Sequence, residues 1–176
     1  MSAALVQNIE LLRQGITLLR KIDDDLYSGS GPDHEASYLV GPHMRHCVDA
    51  YRCLLDGLED KSVDYDARGR DPRLESERAA GLEAMERLVE GLGRLAVVDP
   101  EVELTVRVDT PAGAHGPEAA SRSTLHRELQ FLVGHTVHHF ALIAMILRQN
   151  GFDPGREFGV APSTLAHWER EKTLQA

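Results

Sequence analysis

Three histidines, His135, His138 and His139, fall within five residues of a stretch that carries no Lys, Arg, Asp or Glu from Phe131 to Leu147. His135 and His139 are four apart, the spacing that sets two imidazoles on one face of a helix, where both can grip one ion. On a helical projection with His135 at zero, His139 falls near about 40° and Glu128 near about 20°, while His138 lies on the flank at about 300°. One stripe therefore holds two histidines with a carboxylate upstream. Two histidines make an incomplete site, and a third ligand must come from another element. Residues 40–58 offer His43 and His46. The competing reading is structural, because a histidine is more often a surface or hydrogen-bonded residue than a ligand. Burying several imidazoles is costly unless each finds a partner, and a metal supplies one. All-nitrogen ligation suits zinc, nickel, iron or copper. Ser123, His126 and Glu128 suggest a nucleophilic triad only weakly, since Ser123 or Thr124 fits a helix cap better.

The elements that must carry these residues read as helices. Leu5, Ile9, Leu12, Ile16, Leu19, Ile22 and Leu26 step by three or four, predicting a first helix over 3–26 that stops at Ser28-Gly29-Ser30-Gly31-Pro32. A second helix is predicted over about 40–58, with Gly41-Pro42 at its start and Met44, Val48, Tyr51, Leu55 and Leu58 as its stripe. Residues 59–71 read as a polar connection, and a third helix follows over 72–97. Residues 101–108 alternate apolar and polar types and are rich in Val and Thr, so they read as one short extended segment. Asp109-Thr110-Pro111 reads as a turn, and 111–116 as a turn or loop. A fourth helix is predicted from about Ser121 to Asn150, apolar on most sides and therefore buried. Pro162-Ser163-Thr164 opens a last short helix in the tail, ending near Glu171. The expected fold is all-α: a single domain over 1–176, an up-down four-helix bundle with a short extended segment between helices 3 and 4 and a C-terminal tail.

Composition narrows the partners. The chain has 176 residues, 42% of them hydrophobic and 27% charged, which is ordinary globular usage. A net charge of −9 argues against a nucleic-acid backbone as the main partner. Apolar runs such as Phe140–Met145 fall far short of the roughly 20 residues needed to span a bilayer, so no membrane partner is expected. No basic and apolar leader opens the sequence. The two cysteines, Cys47 and Cys53, would stand about 9 Å apart along one helix, too far to bridge, and read as buried thiols in a reducing compartment. The expected location is cytoplasmic.

Two motifs resemble a known family. The segment Tyr38-Leu39-Val40-Gly41-Pro42-His43-Met44-Arg45-His46-Cys47-Val48-Asp49 is similar to the second-helix motif of the DinB/YfiT-like superfamily of metal-binding four-helix bundles, in its DinB_2-type branch. Tyr38 stands where that motif has Trp, and Leu39 where it has Ser. His135-Thr136-Val137-His138-His139 resembles the family's His-x-x-x-His motif on the last bundle helix. The resemblance covers most of the chain and implies that His46, His135 and His139 bind a divalent metal (zinc, nickel or iron) with positions left open to water. The helical projection places His43 closer to the apolar stripe, whereas the motif register favours His46, so His43 is the alternative ligand. The family further implies a homodimer. It also implies a small-molecule substrate, in some members a low-molecular-weight thiol. The expected function is that of a metal-dependent thiol S-transferase or hydrolase. In it Glu128 would orient a histidine or act as a base, and His138 would shuttle protons. The alternatives are a non-catalytic metal-binding stress or sensor protein, and a structural dimer without metal.

Overall fold

The computed structural model describes residues 1–29, 39–108 and 120–175. Part of the Ser28–Pro32 breaker, Tyr38 and the turn and loop read at 109–116 lie outside these residues. Helix α1 (Ala3–Leu19) starts where the Ser2 hydroxyl accepts from Leu5 N. It buries the expected stripe Leu5, Ile9, Leu12, Ile16 and Leu19. The chain turns after Leu19 rather than continuing to Leu26. It restarts as α2 (Asp24–Ser28), with Asp23 capping by accepting from Leu26 N at 2.8 Å. A run of three aspartates favours a helix start, because carboxylates are stabilised at the N-terminus and not in mid-helix.

Helix α3 (Val40–Gly57) follows the expected span closely. The helix read over 72–97 is broken in two. A single turn, α4 (Arg73–Ser76), ends at Glu77 in extended backbone, and α5 (Arg78–Arg94) begins there, closing in a 3-10 turn at Leu95–Val97. Tertiary contacts hold α4 apart. Leu74 is buried, and its carbonyl accepts from the buried Tyr27 hydroxyl at 2.5 Å. Gly41 lets α3 lie directly on this turn, since a Cβ there would stand 1.9 Å from the Glu75 carbonyl oxygen. Gly41→Ala is accordingly expected to cost about 3 kcal/mol, because backbone rather than a flexible side chain must yield. The urea midpoint checks this, and an unchanged midpoint would show that α3 and α4 are not so closely packed.

An all-α four-helix bundle does not describe the chain. The described residues form seven α-helices and a three-stranded mixed sheet. The segment expected at 101–108 is strand β2 (Glu103–Arg107), burying Leu104 and Val106. It is flanked by β1 (Ser62–Asp64), parallel with Val63 opposite Val106, and by β3 (Ala120–Thr124), antiparallel with Leu104 opposite Ser123. β1 lies inside the expected polar connection and buries only Val63 along its length. β3 lies where the fourth helix was expected to begin, and its residues show no alternation of buried and exposed positions. Both strands exist because their backbones pair with β2, which side-chain pattern does not encode.

Helix α6 (Leu125–Gln149) starts directly from β3, with Thr124 accepting from Arg127 N at 3.2 Å. By length and composition it is the one described helix able to cross a membrane. Here it packs against α1 and α3, with Leu129, Leu132, Phe140 and Leu147 buried. The tail helix, α7 (Pro162–Gln175), runs beyond the expected end at Glu171. Cys47 is buried, Cys53 is half-buried and both are free thiols.

Candidate metal centre

The His-x-x-x-His pair is set by one turn of α6, and the third histidine crosses from α3. His46, His135 and His139 each offer a ring nitrogen, and these three atoms lie within 4.8 Å of one another. Their ring centroids form a near-equilateral triangle with sides of 4.6, 4.7 and 4.8 Å. The clamp that fixes this geometry is a buried polar network between the helices. The Tyr51 hydroxyl of α3 donates to Asn8 Oδ1 of α1 at 2.7 Å and accepts from the Thr136 hydroxyl of α6 at 3.0 Å. Asn8 Nδ2 in turn donates to the Ala4 and Leu129 carbonyls, both at 2.8 Å. Thr136 is the neighbour of His135, so the network fixes α6 against α3 beside the histidine cluster. Tyr51→Phe would leave a buried acceptor on Asn8 unpaired. The expected loss is about 1–3 kcal/mol, read as a lower thermal midpoint. No change in that midpoint would mean the network does not hold the helices.

The residues present fit a cation. His135 Nε2 is buried without a hydrogen-bond partner, a state that is costly for a ring nitrogen and that an ion would relieve. The three rings are also held neutral, the form that coordinates metal. Burial is the first cause in each case. It lowers His46 to about 4, helped by the charges of His135, Arg68, Arg45 and His43. It lowers His139 to about 3, helped by His135, His46, His43 and His138. It lowers His135 as well, with His138 and Arg68 adding to it.

His46 joins the cluster, and His43 stands behind it, its Nδ1 at 3.1 Å from His139 Nδ1. One of these two nitrogens donates and the other accepts. With His139 as donor, its Nε2 lone pair is left for an ion. His138 is exposed, its ring edge-on to His139 at 5.1 Å. Glu128 is buried, and its two carboxylate oxygens accept from the Tyr65 hydroxyl at 2.8 Å and the Ser123 hydroxyl at 2.5 Å. It reaches the cluster through a chain of tilted ring contacts: Tyr65 lies against Phe131 at 5.2 Å, and Phe131 against His135 at 5.6 Å. Ser123 is thus a hydrogen-bond donor to Glu128, and the helix cap is Thr124.

Two neighbours are invisible in the sequence pattern. Tyr65 and Arg68 both come from the connection after β1, and strand pairing brings them to α3 and α6: Tyr65 N donates to the Arg107 carbonyl at 3.1 Å. Arg68 Nη1 donates to His46 Nδ1 at 2.7 Å. One turn along α3 from His46, Asp49 is buried and has Arg45 as its ion-pair partner at 3.8 Å. Burial raises its carboxyl, opposed chiefly by Arg45.

Fold and site together define a helical protein with a small mixed sheet and a three-histidine cluster close enough to bind a metal ion. No family model matches the chain, and no solved structure matches it. Over 112 residues, 62% of the chain, it is 30% identical to a protein of Rhizopus delemar (strain RA 99-880 / ATCC MYA-4621 / FGSC 9543 / NRRL 43880) named FK506-binding protein 5. The chain spans 28% of that protein's length, a likeness that places it in no family.

Proposed function

We propose that the chain is a metal-dependent enzyme acting on a small substrate, a thiol S-transferase or a hydrolase, with its divalent ion on His46, His135 and His139. The observation that carries this reading is the cluster of three neutral rings, one with a buried and unpartnered nitrogen. Three protein ligands are the layout of catalytic zinc, whereas structural zinc is closed by four. When bound, zinc, nickel or iron supplies an acidified water or a site for a thiolate. The chain's own residues then divide the remaining work. His43 positions the His139 ring. Phe131, backed by Tyr65, covers one side of His135 and limits water there. His138, exposed beside His139, exchanges protons with solvent. Glu128 acts through Tyr65 and Phe131 as a positioning residue. The motif resemblance to DinB/YfiT-like proteins supports the same ligand set and a homodimeric assembly.

The test is a substrate panel run on the full chain loaded with zinc or nickel and on chelator-treated protein. The panel pairs low-molecular-weight thiols with electrophiles, and adds small esters and amides. Turnover should require the metal and vanish in His135→Ala. One ion per chain with no turnover across the panel would favour the non-catalytic metal-binding reading. No ion at all would sink both.

A further inference from the structure

The bond between Arg68 and His46 constrains what the centre accepts. A guanidinium has donors only, so His46 Nδ1 is the acceptor at 2.7 Å and the ring proton sits on Nε2. An ion on Nδ1 would take the place of Arg68 Nη1. An ion on Nε2 would move the ring proton to Nδ1 and set one donor against another. Whichever nitrogen His46 uses, ligation and the Arg68 bond exclude each other, so loading the ion displaces the guanidinium.

Apart from His46, Arg68 is weakly paired among the described residues: its charge reaches the buried Asp49, whose ion pair is with Arg45. The Arg68 side chain is 22% exposed, its ion pair to Asp66 is long at 3.9 Å, and its Nε is buried without a hydrogen-bond partner. The neighbouring Arg45 is already engaged, by Glu75 at 2.7 Å and Asp49 at 3.8 Å. A displaced Arg68 therefore stays a cation beside a dication, and like charges at such range repel strongly away from bulk water. An anion shared by the two removes that repulsion. A single guanidinium matches the planar fork of a carboxylate through two parallel N–H donors, whereas a phosphate dianion calls for more donors than one arginine provides. We propose that the centre takes a small carboxylate-bearing ligand, held jointly by the metal ion and Arg68. This inference rests on the three-histidine metal reading and names the substrate class for it.

The experiment uses the full chain, cobalt(II) as a coloured probe ion and acetate as the probe carboxylate. Cobalt is first titrated in acetate-free buffer, and acetate is then titrated into the cobalt-loaded protein while the visible spectrum is followed. In Arg68→Met, cobalt affinity should rise severalfold, because the competing donor is gone, and acetate affinity should fall at least about 10-fold. Arg68→Lys keeps the charge without the fork and should give an intermediate acetate affinity, so the test stays decisive if methionine disturbs the loop. Unchanged acetate affinity in both variants overturns the proposal, as does cobalt affinity that is no tighter in Arg68→Met. Failure of the metal reading is distinguishable: wild-type protein would take up no cobalt before any acetate is added.

Discussion

His139→Ala is expected to lower divalent-metal affinity by more than about 100-fold, the loss of one ligand from a three-ligand set. His139 is the ring with most at stake: it closes the triangle with His46 and His135 and also carries the contact to His43. His46→Ala and His135→Ala should do the same, since each removes one corner of the triangle. His43→Ala removes only the partner of His139 Nδ1. Groups that orient a ligand from behind contribute about 10–100-fold, so this variant should fall short of the ligand variants. His167→Ala should leave affinity unchanged, because His167 sits exposed on α7 beside Glu171 at 3.5 Å. A competition titration against a chromophoric chelator measures all five variants. If His139→Ala binds as tightly as wild type, the cluster is not a metal site and its histidines serve packing alone.

The histidine cluster was legible because its two halves are written locally. The i,i+4 pair needs only a helix, and α6 is helical throughout His135–His139. The uncharged stretch around the pair marked it as helix rather than loop. His46 was harder, since a projection of α3 alone favours His43. What decides between them is how α3 crosses α6, a property of the Asn8, Tyr51 and Thr136 contacts and not of α3's own periodicity. The sheet was mostly illegible. β2 showed its alternation, but β1 has one buried residue and β3 none that are fully buried, so neither carries a hydrophobic signal. Missing the sheet meant missing Tyr65 and Arg68, which reach the histidines only because β1 pairs with β2. The break at Glu77 was illegible for a related reason, because Tyr27 and Gly41, remote in sequence, fix the α4 turn. Helical periodicity reports which face is buried and is silent on where a long-range contact interrupts the backbone.

Metal loading is expected to survive acidification well below the ordinary histidine range, with its midpoint under pH 5.5 rather than near 6.5. A solvated three-histidine site would lose its ion as the rings protonate around 6.5. Here burial and mutual repulsion hold His46 at about 4 and His139 at about 3, so protons compete for these nitrogens only at lower pH. The same shifts give the metal-free protein an acid weakness. A histidine depressed in the folded chain binds a proton more readily when unfolded, so between its unfolded value of 6.5 and its folded value the unfolded state holds more protons. Stability is then full above about pH 6.5 and falls as pH drops towards 4. Each pKa unit corresponds to about 1.4 kcal/mol, but the rings are only half-buried, so the loss across the window is on the order of 2–4 kcal/mol for the cluster. Asp49 acts in the opposite sense: its raised carboxyl favours the folded state once protonated, and so offsets part of the loss. Bound metal removes the weakness, because an ion that binds only the folded chain adds stability by mass action until protons displace it. Urea denaturation of metal-free and zinc-loaded protein at pH 7.5, 6 and 5 separates these effects: the metal-free midpoint should fall steeply across the series while the loaded one holds to pH 6. A metal-free midpoint that stays flat from 7.5 to 5 would mean that the three rings are solvated. Their nitrogens would then be free to protonate in the ordinary range, and the centre would be far more open than the packing of α3 against α6 describes.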